Sequence, residues 1–210
     1  MASVKKFAGP AVLNQIRHIE RTIDHPANED IDRSKIDLDY IISPDRGMSS
    51  YDYFLQRKSE LYCYHRDDVK VLAGWIITKP KSLPPEEDTA FFQSSYNFLI
   101  ERYGEENCVS CVVHRDESGE DHLHFLFIPV VEDKKHGGEK ICANDVLNKK
   151  EMRNFHPDLQ RHLNNDGLHA NVNSGITKRQ GGNKTVAQLK KERTEEIKQE
   201  KIIERRGRWG

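Results

Sequence analysis

A hairpin pattern in the middle of the sequence constrains the fold more than any other feature. Two apolar runs, CVSCVV and HLHFLFIPVV, flank the polar stretch HRDESGED, which predicts two antiparallel strands joined by a short loop. Since side chains alternate along a strand, His122 and His124 share one face, while Leu123 and Phe125 point to the other. The loop folds back on the second strand and brings His114 to the same place.

These three histidines form a candidate metal site. Imidazole is the commonest metal ligand in proteins, and a site of this kind needs neutral nitrogens at a fixed geometry. The ligand type alone favours zinc, because imidazole is softer than the oxygen ligands that manganese and magnesium prefer. The alternative is a structural group of exposed histidines at a strand end, with no ion.

Length and composition predict one globular domain with a charged extension. The chain has 210 residues, of which 36% are hydrophobic and 32% are charged, enough for a single core. Strands and helices are mixed around a central hairpin, which indicates an α+β fold rather than a doubly wound sheet. We expect the domain to span residues 1–182 and a charged helix over residues 183–210 to lead out of it, either truncated or continuing into a further helical region.

Neither a signal peptide nor a membrane span is predicted. The N-terminus has no apolar run of sufficient length, and no segment approaches the length needed to cross a bilayer. We therefore expect a cytoplasmic protein whose four cysteines are reduced. Cys108 and Cys111 form a CxxC pair within a strand, where residues three apart face opposite sides, so the pair is a poor chelate.

The charge of the chain is unevenly distributed. The net charge of −1 at pH 7 gives no overall indication of nucleic-acid binding, which usually shows as a basic surplus. Lysine and arginine are instead concentrated in residues 177–193. This stretch either holds a phosphate backbone or is the solvated face of a helix, the usual explanation for an isolated charge run.

Hydrophobic periodicity predicts the remaining elements. The first helix runs from Pro10 to Ile23 and places His18 and Arg21, three residues apart, on one side. The other predicted elements are strands at Ile36–Ile42 and Val69–Thr78 and helices at Tyr51–Tyr64, Thr89–Tyr103, Asn144–Asn165 and Val186–Arg206.

Several ordered motifs resemble those of one known family. HRDESGEDHLHFLFIPVV resembles the His-hydrophobe-His signature of HUH endonucleases, specifically of the plasmid mobilisation and recombination proteins called Mob or Pre, the MobV relaxases. RHIER is similar to the early His-x-x-Arg motif of that family, and GWIIT, YGEEN and NKTVAQLKKE resemble later segments. NEDIDRSKIDLDY resembles a further block, with Lys35 and Asp39 in place of the usual Arg and Asn. The resemblance covers nearly the whole chain.

The resemblance implies a fold and an activity. The implied fold is a single HUH relaxase domain, an antiparallel sheet of about five strands with the histidine strand central and helices packed against it. The implied activity is site- and strand-specific nicking and rejoining of plasmid DNA at an origin of transfer, through a covalent link to the 5′ phosphate, for conjugative mobilisation or plasmid recombination. The implied partners are the hairpin and single strand of that origin in a bacterial cytoplasm. We also expect the full-length form to dimerise through a C-terminal helical region.

The resemblance also implies roles for individual residues. His114, His122 and His124 would hold a divalent ion, Mn²⁺ first and Mg²⁺ second, with Zn²⁺ as an occupant or inhibitor. His18 takes the place of the nucleophile, Arg21 would bind the scissile phosphate, and Glu117 would orient His18 or remove its proton. Asp116 is able instead to support a ligand histidine. The residues implied in DNA binding are Arg33, Lys35, Arg46, Lys178, Arg179, Lys184 and Lys190.

One departure and two alternatives accompany the resemblance. The loop between His114 and His122 has seven residues, one more than the family pattern, which leaves the position of Glu117 open. The first alternative is a metal-dependent phosphoesterase that acts on small substrates with water as nucleophile. The second is a rolling-circle initiator-like DNA-binding protein with a tyrosine nucleophile, for which the candidates are Tyr40, Tyr51 and Tyr53.

Overall fold

A five-stranded antiparallel sheet forms the centre of the fold. The computed structural model describes residues 1–23 and 30–173, together with Glu195. The sheet strands are β1 (Ala2–Ala8), β2 (Tyr40–Ile41), β3 (Lys70–Thr78), β4 (Cys108–His114) and β5 (His122–Phe127). Their order is β1-β3-β5-β4-β2, so the α+β class and the central position of the histidine strand are confirmed.

Helices and a small hairpin complete the described residues. A two-stranded sheet pairs β6 (Val130–Glu132) with β7 (Glu139–Ile141). The α-helices are α1 (Gly9–Ile19), α2 (Ser50–Ser59), α3 (Asp88–Tyr103), α4 (Ala143–Val146) and α5 (Lys149–Asn165). Short 3-10 helices lie at Arg33–Leu38, Pro85–Glu87 and Glu105–Asn107. No helix of these residues is long and apolar enough to cross a membrane.

The two faces of the sheet bury separate hydrophobic clusters. On one face, α3 and α5 pack against the strands, and Trp75 stacks on Phe155 with ring centroids 3.5 Å apart. On the other face, α1 buries Val12, Ile16 and Ile19, which recur at helical spacing. Helix α1 is therefore held in place by its apolar stripe, and its polar residues are brought next to the sheet.

The β4-β5 hairpin has the predicted register. His114 pairs directly with His122 across the two strands. Leu123 and Phe125 lie in the cluster beneath α3 and α5, whereas Leu126 lies in the cluster beneath α1. The histidine side chains therefore project from the α1 face of the sheet.

A bulge changes the orientation of the CxxC pair. Cys108 pairs with Phe127 and Ser110 with Leu126, so Val109 is an extra residue in β4. Because of this extra residue, Cys108 and Cys111 lie in the same buried cluster, and the prediction that they face opposite sides is wrong. Burial raises the pKa of both thiols, and all four cysteines are free, as expected.

Helix α1 ends at Ile19, one turn earlier than predicted. Thr22 donates its backbone N–H to the carbonyl of Arg17 at 3.0 Å, and Arg21 donates to the carbonyl of His18 at 3.4 Å. These are the paired bonds of a Schellman motif, whose left-handed residue is usually glycine. Here that residue is Arg21, with φ of 55°. The prediction that His18 and Arg21 share a helix face is wrong, because the turn carries Arg21 off the helix.

One strand was not predicted, and four further predictions need correction or lie outside the described residues. Strand β1 was not predicted, because its lysines mask the pattern of an edge strand. Within the predicted strand Ile36–Ile42, residues 36–38 belong to the 3-10 helix Arg33–Leu38 and only Tyr40–Ile41 is a strand. The helix predicted to reach Tyr64 ends at Ser59. The predicted helix at 186–206 lies outside the described residues except for Glu195, and the domain boundary at residue 182 stays a prediction.

Candidate active site and metal centre

The three histidines of the hairpin converge on the α1 face of the sheet. The ring centroids of His114 and His124 lie 4.5 Å apart, those of His122 and His124 lie 4.9 Å apart, and those of His114 and His122 lie 5.4 Å apart. One nitrogen from each ring lies within 4.8 Å of the others. The convergence predicted from strand alternation is confirmed, and the spacing is short enough for one ion to reach all three rings.

The chemistry of these rings suits a metal ion. Burial lowers the pKa of His114 to about 3 and that of His124 well below its ordinary value, so both rings are neutral at pH 7. Nε2 of His124 is buried and has no hydrogen-bond partner among the described residues. An unmade bond of this kind costs about 1–3 kcal/mol, a penalty that a coordinated cation would remove. The residues present therefore fit a divalent ion.

Backbone carbonyls orient the other two rings. Nδ1 of His122 lies 3.1 Å from the carbonyl of Glu120, which makes it the donor and directs Nε2 toward the other histidines. Nε2 of His114 lies 2.7 Å from the carbonyl of Ile19, the last residue of α1. Hydrogen bonds of this kind fix the tautomer and the direction of metal-binding histidines.

Arg21 lies at the centre of the site, with a side chain only 6% exposed. Its Nε and Nη2 form a bidentate pair with Asp116, at 2.7 and 2.6 Å, and Nη2 also lies 2.8 Å from Glu117. Nη1 donates to the backbone carbonyl of His18 at 3.1 Å, and Nη2 lies 2.9 Å from Nδ1 of His114. One guanidinium therefore joins the end of α1 to the histidine loop.

Two carboxylates of the loop flank the histidines. Burial would raise the pKa of Asp116, but the hydrogen bonds from Arg21 outweigh it and hold the pKa below its ordinary value. Glu117 lies 3.9 Å from Nδ1 of His114 and 3.9 Å from Nε2 of His122. The longer loop therefore still places Glu117 at the edge of the histidine cluster.

Asp39 is a residue of the site that the sequence analysis noted only as a departure from the family pattern. Its Oδ1 accepts the backbone N–H of Arg115 at 2.7 Å, next to His114. Its Oδ2 lies 3.6 Å from Nε of Arg21 and is buried without a hydrogen-bond partner among the described residues. Burial raises the pKa of Asp39 to about 6.

His18 lies between two cavities. A cavity of about 140 Å³ contains His18 together with His124 and Gln15, and a second of about 220 Å³ contains His18 together with Arg17 and Arg33. Burial and the charge of Arg21 lower the pKa of His18, so its imidazole is neutral at pH 7. A neutral imidazole beside a metal-binding cluster is able to act as a nucleophile or as a base.

Comparison with known proteins identifies the family of this chain. Residues 1–190 match the sequence profile of the family Mob_Pre, described as "Plasmid recombination enzyme". The chain belongs to the Mob_Pre family. The resemblance to Mob or Pre proteins found in the sequence is thereby confirmed.

Individual Mob_Pre relatives are distant in sequence and longer. The chain is 26% identical to a plasmid recombination enzyme of Streptococcus agalactiae over 214 residues, which cover 98% of the chain and 41% of the relative. It is 26% identical to one of Lactiplantibacillus plantarum over 202 residues, covering 93% and 54%. The chain thus spans about half the length of these Mob_Pre relatives or less.

A solved Mob_Pre domain has a similar fold. The MobM relaxase domain bound to plasmid pMV158 oriT DNA, in an Mn-bound crystal structure at pH 6.8, is 25% identical, with a TM-score of 0.71. The match covers 91% of this chain and 97% of that domain. An Mn-bound structure of the same domain at pH 4.6 matches with a TM-score of 0.70. The predicted relaxase fold is thereby confirmed for this Mob_Pre chain.

A cluster of four charges holds both ends of the histidine loop in this Mob_Pre domain. Asp88, at the start of α3, accepts from Lys79 at 2.9 Å and from Arg115 at 2.7 Å. Asp121, one residue before His122, lies 3.1 Å from Lys79 and 3.7 Å from Arg115. This cluster was not predicted, because its members come from three separate segments and carry no spacing signal.

The residues predicted to bind DNA are only partly near the site. Arg33 lines the larger cavity beside His18. Lys35 is exposed and pairs with Asp32 at 3.3 Å, and Arg46 lies 4.0 Å over the ring of Tyr53, so neither lines the cavities at His18. The remaining four, Lys178, Arg179, Lys184 and Lys190, lie outside the described residues.

The three tyrosines of the alternative mechanism also lie away from these cavities. Tyr53 donates its hydroxyl to the carbonyl of Glu106 at 2.6 Å, and Tyr51 stacks beside Phe54. The hydroxyl of Tyr40 is buried, and its ring lies 5.4 Å from the guanidinium carbon of Arg115. None of the three lines either cavity that contains His18.

Proposed function

We propose that this chain is the relaxase domain of a plasmid mobilisation or recombination protein. It nicks and rejoins plasmid DNA at one site and on one strand of an origin of transfer. The observation that carries this proposal is the position of a neutral His18 in the same cavity as His124, whose buried Nε2 has no partner in the described part of the chain. The likeness to the MobM domain, which is bound to oriT DNA, supports it.

Three histidines would hold a divalent ion, and Mn²⁺ is the proposed ion, with Mg²⁺ as a substitute. They are His114, His122 and His124. Such an ion acts as a Lewis acid and as a template for the scissile phosphate. The Mn-bound state of the related MobM domain supports manganese over zinc, which the ligand type alone would favour.

His18 is the proposed nucleophile. A nitrogen lone pair of the neutral ring attacks phosphorus in line, a P–N bond forms, and the bond from phosphorus to the 3′ oxygen breaks. The 3′ oxygen leaves as a hydroxyl once it is protonated. The DNA stays attached to His18 through its 5′ phosphate, and attack by a 3′ hydroxyl reverses the step and rejoins the strand.

The acidic loop and Arg21 assist this step. Glu117 is the proposed acceptor of the proton that the phosphorylated ring of His18 must lose, since its charge favours the protonated form of His18. Arg21 offers positive charge to the scissile phosphate from between Asp116 and His18. Asp116 keeps Arg21 in position through its bidentate pair.

Basic residues and the C-terminal region complete the proposal. The basic residues contact the hairpin and the flanking single strand of the DNA. The full-length protein dimerises through a C-terminal helical region, and the protein acts in the cytoplasm. The proposed DNA-binding residues are Arg33, Lys35, Arg46, Lys178, Arg179, Lys184 and Lys190.

The test uses a supercoiled plasmid that carries the origin, with and without Mn²⁺. We expect nicked DNA with protein attached to its 5′ end, lost in His18→Ala and kept in Tyr40→Phe, Tyr51→Phe and Tyr53→Phe. The attachment should break in acid and survive alkali, as a P–N bond does. Loss of the adduct in any tyrosine variant, or nicking that continues in His18→Ala, would overturn the assignment. Hydrolysis of small phosphodiesters without any nicking would replace the proposal with a phosphoesterase.

A further inference from the structure

The larger cavity beside His18 combines apolar and positively charged walls. Its apolar wall is formed by three half-buried side chains, Ile23, Ile31 and Ile36. Its charged wall is formed by Arg17 and Arg33, and Arg21 also lines the cavity. No aspartate or glutamate is among its lining residues in the described part of the chain. We call this cavity the isoleucine pocket.

These walls suit a nucleotide. A base has flat faces that pack against apolar side chains, and its phosphates bind guanidinium groups through charge-assisted hydrogen bonds. The volume of about 220 Å³ lies below the range of roughly 300–1,000 Å³ typical of drug-sized ligands, and it suits one base. Charge and size both therefore favour a single unstacked nucleotide over a peptide or an acidic protein.

The position of the pocket indicates which nucleotide it receives. His18 is the residue shared by the isoleucine pocket and the cavity that contains His124. In an in-line attack by His18, the departing 3′ oxygen moves away from His18 on the far side of phosphorus. The nucleotide that keeps the phosphate is attached through its 5′ oxygen, which lies to the side of the line of attack, and it remains joined to His18 after the 3′ oxygen has left.

We propose that the isoleucine pocket binds the base of the nucleotide immediately 3′ of the scissile phosphate. Arg17 and Arg33 bind the phosphate on the 3′ side of this nucleotide, and the isoleucines hold its base. The pocket thereby contributes to the choice of nicking site, because base contacts specify sequence while phosphate contacts fix position. This inference rests on the proposed nicking function and extends it to one nucleotide of the substrate.

The first test changes the DNA and leaves the protein intact. Oligonucleotides that span the nicking site carry an abasic residue either immediately 3′ of the scissile phosphate or six positions away on the same side. We expect the adjacent abasic residue to raise KM by about tenfold, the usual effect of emptying an apolar pocket, with a smaller change in kcat. The distant abasic residue should leave both unchanged. Equal KM values for the intact and adjacent-abasic substrates would overturn the inference.

A second test combines a protein variant with the abasic substrate. Ile36→Ala should raise KM for the intact substrate but add little for the adjacent-abasic one, because both changes remove the same contact. The control is Ile41→Ala, an isoleucine that is 63% exposed on β2 and outside the pocket. Additive effects of Ile36→Ala and the abasic residue would contradict a shared contact.

The roles of Arg17 and Arg33 are tested by the salt dependence of DNA binding. Arg17→Gln and Arg33→Gln should each weaken binding to all sequences and reduce the slope of log affinity against log salt by about one unit. Arg161→Gln is the control, because Arg161 lies on α5 against the opposite face of the sheet with its side chain 69% exposed. Absence of nicking on every substrate would count against the proposed function, whereas normal nicking with no response at the pocket would count against this inference alone.

Discussion

Nη2 of Arg21 lies 2.9 Å from Nδ1 of His114, while Nε2 of the same ring contacts the carbonyl of Ile19 at 2.7 Å. Both nitrogens of His114 are therefore engaged, with Nε2 donating to a carbonyl and Nδ1 facing a guanidinium. The position of Arg21 follows from the Schellman turn at the end of α1, which places a non-glycine residue in the left-handed region. A divalent ion bound through Nδ1 of His114 would therefore displace this contact and would be repelled by Arg21.

The first prediction concerns Mn²⁺ affinity. Arg21→Gln removes a positive charge from the metal centre and releases Asp116 and Glu117, so we expect Mn²⁺ to bind about tenfold more tightly while nicking falls by about a hundredfold. Titration calorimetry measures the affinity, and a plasmid nicking assay measures the activity. Arg161→Gln should change neither. Weaker Mn²⁺ binding in Arg21→Gln would mean that the guanidinium serves mainly to orient the ligands.

The second prediction concerns Asp39 and stability at alkaline pH. The pKa of Asp39 is raised by burial to about 6, so the folded chain retains a proton that the unfolded chain has released near pH 4. Above pH 6 the ionised carboxylate destabilises the fold, and Asp39→Asn should raise the free energy of unfolding by about 1–2 kcal/mol at pH 8. The gain should disappear toward pH 4.

Urea unfolding at the two pH values measures this difference. The matched control is Asp37→Asn, an exposed acidic residue two positions away. A gain of the same size at pH 4 and pH 8 would show that ionisation of Asp39 is not its cause.

The third prediction concerns His124, whose effect on stability changes with pH in the opposite direction to that of Asp39. His124 has a pKa well below its ordinary value in the folded chain, because it is buried. Below pH 6.5 the unfolded chain binds a proton that folded His124 does not, so stability falls as pH decreases, by up to about 1.4 kcal/mol per pH unit. His124→Leu should therefore lose less stability than the parent chain between pH 7 and pH 5, in EDTA. The exposed His65→Leu serves as a control, and identical slopes for all three proteins would contradict the prediction.

The fourth prediction concerns the charge cluster behind the histidine loop. Asp88→Asn weakens the pairs with Lys79 and Arg115 that hold both ends of the loop. We expect Mn²⁺ affinity to fall about fivefold, because the ligands lose their fixed geometry. Glu151→Gln breaks a similarly buried pair with Arg102 away from the loop and should leave Mn²⁺ affinity unchanged.

Exchanging the charges of Lys79 and Asp121 shows whether this pair positions the histidine loop or only stabilises the fold. Lys79→Glu and Asp121→Lys each place like charges together, and each should weaken Mn²⁺ binding. The double variant restores an opposite pair at the same place and should recover part of the affinity, because the exchanged charges still face Asp88 and Arg115. Failure of the double variant to recover, with both proteins folded by circular dichroism, would contradict a positioning role for this pair.

Local patterns accounted for the elements with strong periodicity. The strand Val69–Thr78 and the helix Thr89–Tyr103 are confirmed to within one residue at each end, because their apolar residues are continuous or regularly spaced. The pattern failed in the first part of Ile36–Ile42, where residues 36–38 end a 3-10 helix whose N-terminus is capped by Asp32. Side-chain capping competes with strand formation, and spacing alone does not reveal which prevails.

The sequence by itself determined the convergence of the three histidines, because alternation along β5 and the return of a short hairpin are local rules. Motif resemblance further pointed to His18 and Glu117. Only the tertiary structure decided the surroundings of Arg21, where Asp39, Asp116 and His114 meet from segments far apart in the chain. Contacts of this kind depend on where a helix ends and which face it buries. Those outcomes are set by packing and backbone turns rather than by residue spacing.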